Sequence, residues 1–75
     1  MSQGIEALRE AVEIAGSQSE LARRIGGKVR QQHVHYWLNN DYVPADHVLA
    51  IERATEGRVT RQRLRPDLYP LERGA

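Results

Sequence analysis

The sequence predicts a small all-α domain of four to five short helices, on three observations. Apolar residues recur at helical spacing in separate segments, a Ser-x-x-Glu capping signal opens one of them, and glycine or proline marks the boundaries at Gly16, Gly26-Gly27, Pro44 and Gly57. With 75 residues, 40% hydrophobic and 28% charged, the chain has material for one thin core, and a second domain is excluded. The absence of cysteine excludes a disulfide framework and a thiolate zinc site and suits a reducing cytoplasm. No stretch approaches the roughly 18 apolar residues of a membrane span, and residues 1–4 lack the basic and apolar segments of a signal peptide. A cytoplasmic protein with no membrane partner is the expectation.

Ile5, Leu8, Val12 and Ala15 recur at spacings of three and four with Glu6, Arg9, Glu10 and Glu13 between them, which makes an amphipathic first helix. Ile14 lies off that stripe, where it can cover the carboxy-terminal segment or face a partner. Gly16 ends the helix. Ser17-Gln18-Ser19-Glu20 then has the form of a capping box, in which the Ser17 hydroxyl and the Glu20 carboxylate each satisfy an orphan backbone donor. The second helix buries Leu21, Ala22 and Ile25 and stops at Gly26-Gly27. A third, over residues 30–39, places Val34, Trp37 and Leu38 on one face. Trp37 belongs to this core stripe. A fourth follows over residues 44–55, with Pro44 in its first turn, Val48, Leu49, Ile51 and Ala54 on its apolar side and Gly57 as its stop. Thr60 caps one short turn through Leu64, although residues 59–64 are equally compatible with a short strand for pairing between subunits. Pro66 and Pro70 keep the remainder irregular, so residues 1–65 form the domain and residues 66–75 a tail.

The net charge is only +1, but it is unevenly distributed. Residues 23–38 hold Arg23, Arg24, Lys28 and Arg30 with no acid, and residues 57–75 hold Arg58, Arg61, Arg63, Arg65 and Arg73 against Asp67 and Glu72. The two segments between and before them, residues 39–56 and 1–22, are acidic. Folding can bring the basic segments together as one face for an anionic partner, whereas charge alone indicates no more than solvated arginines.

Two short helices joined by a glycine turn, the second presenting amides outward, have the pattern of a helix-turn-helix, whose second helix enters the DNA major groove. Leu21, Ala22, Ile25 and Gly26 resemble the core and turn positions of the phage Cro and repressor type, and Val29, Val34 and Trp37 its remaining core. Gly27-Lys28 adds two residues to the usual turn. The outer face of the third helix carries Gln31, Gln32, His35 and Tyr36 in place of the Glu and Lys of a merely solvated helix. Glutamine can pair through two hydrogen bonds with adenine N6 and N7, so Gln31 and Gln32 are the candidate base readers. His35 can reach a guanine acceptor or a phosphate, and Tyr36 a phosphate or a thymine methyl. Lys28 and Arg30 can hold phosphates, Ser17 and Gln18 bring a helix amino terminus and an amide to the backbone, and Asn39 and Asn40 can do likewise. Each of these is also compatible with a plain solvated role.

Residues 43–45, 48–55 and 59–61, together with the string Leu64-Arg65-Pro66-Asp67-Leu68-Tyr69-Pro70, resemble the YdaS-like branch of prophage Cro-type regulators. The resemblance spans most of the chain. It implies a small DNA-binding transcriptional regulator, usually encoded in a prophage or related mobile cassette and acting on operators near its own gene. It also carries a link to toxin and antitoxin modules.

Enzymatic activity is not expected, because no nucleophile, base and acid are assembled by spacing and Gly26-Gly27-Lys28 lacks the glycine spacing and hydroxyl of a phosphate loop. No cofactor is implied. A metal at His33, His35 and His47 is disfavoured, since i and i+2 on a helix point apart and no carboxylate or Cys completes the set. Three functions remain open. The first is a repressor dimer reading two half-sites about 34–36 Å apart on double-stranded operator DNA. The second is an antitoxin or adaptor that binds a toxin or host protein through an apolar patch at Ile14, Leu68, Tyr69 and Leu71. The third, a nonspecific nucleic-acid binder, is discouraged by the near-neutral total charge.

Overall fold

The computed structural model describes residues 3–70. Its elements are α1 (Gln3–Ala15), α2 (Gln18–Ile25), α3 (Gln31–Asn39), a 3-10 turn (Ala45–His47), α4 (Val48–Ala54) and α5 (Arg61–Leu64), and no strand occurs among the described residues. The all-α expectation holds, and residues 59–64 are a capped helical turn: Thr60 Oγ1 accepts from the Arg63 N–H at 3.3 Å.

Leu8, Leu21, Val34, Val48, Ile51, Val59 and Leu64 are fully buried and form the centre of one core to which every helix contributes. The buried face of α1 also includes Ala7 and Ala11, while Val12 is only half-buried. Small residues at these positions let α2 and α5 pack closely against α1, which shifts the stripe from the one that spacing alone suggests. Ile14 packs against the core. Leu49, expected on the apolar side of α4, is instead exposed, because α4 buries the narrower stripe of Val48, Ile51 and Ala54. The fourth helix begins one turn late: the Pro44 carbonyl accepts from the His47 N–H at 3.1 Å, winding residues 45–47 as a 3-10 turn before α4.

The enlarged turn between α2 and α3 uses Gly26 at φ 83° and Gly27 at φ 63°, left-handed conformations that residues with a Cβ resist. Gly26 N–H donates to the Ala22 carbonyl at 3.0 Å and Val29 N–H to the Gly26 carbonyl at 3.2 Å, so the insertion is a hydrogen-bonded turn. At the opposite side of the core, Gly4 lies against the Leu64 carbonyl so closely that a Cβ there would collide with it.

Three arginines fasten α5. Arg61 pairs with Glu52 of α4 at 2.9 Å, Arg63 with Glu10 of α1 at 2.6 Å, and Arg65 donates to the Val43 carbonyl at 2.7 Å while pairing with Asp67 at 2.8 Å. Tyr69 rests half-buried under the Arg61 guanidinium, 5.8 Å from ring centroid to Cζ. Arg65 and Tyr69, after α5, are thus held against the domain. Thr55 is the buried polar side chain among the described residues: its Oγ1 donates to the Glu52 carbonyl at 3.0 Å and accepts from the Val59 N–H at 3.1 Å.

Candidate nucleic-acid interface

Helix α3 sinks Val34 and Trp37 into the core, with Trp37 5% exposed, and thereby fixes which side faces solvent. Nine residues at about 1.5 Å each give a helix of roughly 13 Å, comparable to a major groove about 12 Å wide. The turn at its carboxyl end is closed by Asn40, whose amide donates to the Tyr36 carbonyl at 2.8 Å. Its amino end is capped by His33: the Arg30 N–H donates to His33 Nδ1 at 2.8 Å, which leaves the ring proton on Nε2.

Arg30, Gln31, Gln32 and His35 line one shallow concavity on the exposed side, and Tyr36, 59% exposed, stands beside His35. Four of the residues singled out for DNA contact are thus brought together. Asn39 Nδ2 donates to His35 Nε2 at 2.8 Å, and with Asn40 it lies at the far end of α3, about 12 Å along the axis from Gln31. Lys28 borders a neighbouring cleft with Val29, His33, Trp37, Tyr42, Pro44 and His47.

The first turn of α2 is more committed than the spacing implies. Ser17 Oγ caps it by accepting from the Glu20 N–H at 3.0 Å, as expected, but the Glu20 carboxylate is engaged by Arg23 and by Arg24, the latter at 3.4 Å. Gln18 is half-buried with Oε1 shielded from solvent and without a hydrogen-bond partner, and Ser19 Oγ donates across to Gln31 Oε1 at 3.0 Å. The roles of Ser19 and His33 are missing from a reading by residue type. His33 stands three positions after Arg30, a capping spacing, but the Ser19 to Gln31 bond spans 12 residues and leaves no local signature.

Charge is sorted by these contacts. The hydrogen bond from Arg23, joined by Arg24, holds the Glu20 carboxyl below its usual range and raises Arg23. Arg63 does the same to Glu10, and Arg65 to Asp67. In the second basic segment Arg61, Arg63 and Arg65 each pair with a carboxylate of the chain, Glu52, Glu10 and Asp67. Among the described residues Lys28 and Arg30 enter no ion pair, and both flank the amino end of α3. His33 and His47 border the same cleft, His47 tilted against Trp37 at 5.5 Å between centroids, while His35 lies in the concavity with Gln31 and Gln32, and no group of three or more metal-ligating side chains assembles among the described residues. No described helix is long and apolar enough to cross a membrane.

The family model described as Bacterial toxin YdaS matches residues 8–72. This chain belongs to the YdaS family. A protein of Escherichia coli (strain K12) bearing the name "Putative transcriptional regulator YdaS" is 39% identical over 61 residues, covering 80% of this chain and 60% of that protein. The match thus spans about three fifths of that relative's length. No solved structure matches it. The family description and the relative's name differ in emphasis, toxin in one and transcriptional regulator in the other.

Proposed function

We propose that the protein is a sequence-specific DNA-binding transcriptional regulator of the prophage Cro-like repressor kind, acting as a dimer on a two-fold-symmetric operator. The observation that carries this is the exposed side of α3, where Gln31, Gln32 and His35 meet Arg30 in one concavity and the unpaired cations Lys28 and Arg30 flank the helix start. Gln31 and Gln32 enter the major groove and read base edges, with His35 and Tyr36 one turn further along. Lys28 and Arg30 hold phosphates, Ser17 and Gln18 approach the backbone at the start of α2, and Asn39 and Asn40 at the end of α3. A single module reads few base pairs, so two copies on half-sites about 34–36 Å apart supply the specificity. The regulator name of the Escherichia coli relative supports the same reading.

A protein-partner role is the second reading, favoured by the toxin description of the family. Of its apolar patch, Ile14 and Tyr69 are partly buried against the core and Leu68 is exposed, while Leu71 lies outside the described residues. The test is fluorescence anisotropy of the protein against labelled duplexes tiled across the DNA upstream of its gene, with scrambled competitor at physiological salt. Saturable binding to one tile about a thousandfold above the scrambled control is expected. Equal, salt-labile binding to all tiles would reject the regulator reading.

A further inference from the structure

We infer that Ser19 is a specificity-determining positioning residue, which turns the amide of Gln31 so that it fits a guanine edge and leaves Gln32 as the reader of adenine. The inference rests on the proposed DNA-binding function and deepens it. Gln31 and Gln32 are adjacent and identical in sequence, and both are exposed. Their surroundings differ. The Ser19 hydroxyl, in the first turn of α2, donates to Gln31 Oε1 at 3.0 Å, whereas the Gln32 side chain has no hydrogen-bond partner among the described residues.

The carboxamide is planar, with its oxygen and nitrogen diverging from one carbon. A hydrogen bond that points the Gln31 carbonyl at α2 therefore directs Nε2 and its two N–H donors the other way and occupies one of the oxygen's two acceptor positions. Adenine offers the major groove a donor at N6 and an acceptor at N7, so its two-bond contact with glutamine needs the carbonyl and the amide nitrogen side by side on the base. Guanine offers two acceptors, N7 and O6, which a donor-facing amide can satisfy without its carbonyl. Gln31 held by Ser19 is matched to the second pattern. Gln32 keeps both ends of its amide and is matched to the first.

The experiment is selection of a duplex library, with the operator positions randomised, by the wild-type protein and by Ser19→Ala, Ser19→Thr, Gln31→Ala and Gln32→Ala, followed by anisotropy on the selected duplexes. The wild type is expected to prefer guanine over adenine by roughly tenfold at one position that Gln31→Ala renders indifferent. Ser19→Ala should reduce that ratio to near unity at this position alone, with binding to scrambled duplex and the position governed by Gln32 unchanged, and Ser19→Thr should restore it. A Gln31-dependent position that selects adenine in the wild type, or one whose preference Ser19→Ala does not alter, overturns the role of Ser19 and leaves DNA reading intact. If the wild type selects no sequence, the regulator reading itself fails and the inference falls with it.

Discussion

Replacing Thr55 with valine keeps the shape of a side chain only 1% exposed while removing its hydroxyl. Two hydrogen bonds are lost, with unequal consequences. The Glu52 carbonyl loses the Thr55 hydroxyl but still accepts from the Gly57 N–H at 2.8 Å and the Thr55 N–H at 3.3 Å, so it remains satisfied. The Val59 N–H loses its acceptor inside the core, and an unsatisfied buried donor costs about 1–3 kcal/mol. The added methyl returns about 0.8 kcal/mol of apolar burial. The net loss is about 0.2–2 kcal/mol, a fall in Tm of roughly 1–15 °C for a domain of this size. Thermal unfolding followed by circular dichroism measures it, and amide exchange locates it: the Val59 amide should exchange faster in Thr55→Val and stay protected in Thr55→Ser. A Thr55→Val protein as stable as the wild type would refute the assignment of this hydroxyl as the acceptor that closes the link between α4 and α5.

Gly4→Ala reverses the usual sign of such a change. Alanine in a helix is ordinarily worth about 0.5–1 kcal/mol over glycine, but here its Cβ meets the backbone carbonyl of Leu64, and the domain should lose about 1–3 kcal/mol in denaturant unfolding. Lys28→Ala and Arg30→Ala should each flatten the salt dependence of operator binding by about one unit, while Arg61→Ala, whose guanidinium is held by Glu52, should leave the slope unchanged in the same anisotropy series. Glu10, Glu20 and Asp67 all have folded-state carboxyls held below their ordinary values by arginine. The unfolded chain therefore binds protons first as pH falls, so their stabilisation is complete above the ordinary carboxylate range of about 4 and is lost below it. Tm recorded from pH 7 to pH 2.5 should decline through that acid window, and less steeply for Glu10→Gln.

The first three helices were legible because their signals are local. Period, the Ser17 cap and the glycine pair at 26–27 each act within a few residues, and the structure uses them nearly as written. Helix α5 was ambiguous because four residues carry little period of their own. What fixes it is Arg61 reaching Glu52 and Arg63 reaching Glu10, pairs separated by 9 and 53 positions. Leu49 was misassigned for a related reason: hydrophobicity marks a residue as able to be buried, but only the neighbours decide whether anything covers it. Block charges had the same weakness, since they count Arg24 and Arg30 alike, whereas one sits on Glu20 and the other faces open solvent. The candidate interface was legible as a set of residue types on one helix face. Its internal wiring, with His33 as a cap and Ser19 holding Gln31, became visible only when the helices were set against each other.

A single carboxylate at Glu20 pairs with two guanidiniums in the helix that precedes α3 and offsets one of their two charges. On the proposed DNA-binding function this bears on how the molecule spends its time between correct sites. Each free cation offered to the backbone strengthens adhesion to every sequence equally, and a chromosome presents vastly more wrong registers than right ones. With Arg23 and Arg24 exposed as bare charges, the protein would linger wherever it first collided. With one of those two charges offset by an acid in their own helix, that adhesion falls, so that on the proposed function Glu20 shortens dwell on arbitrary duplex without touching a base.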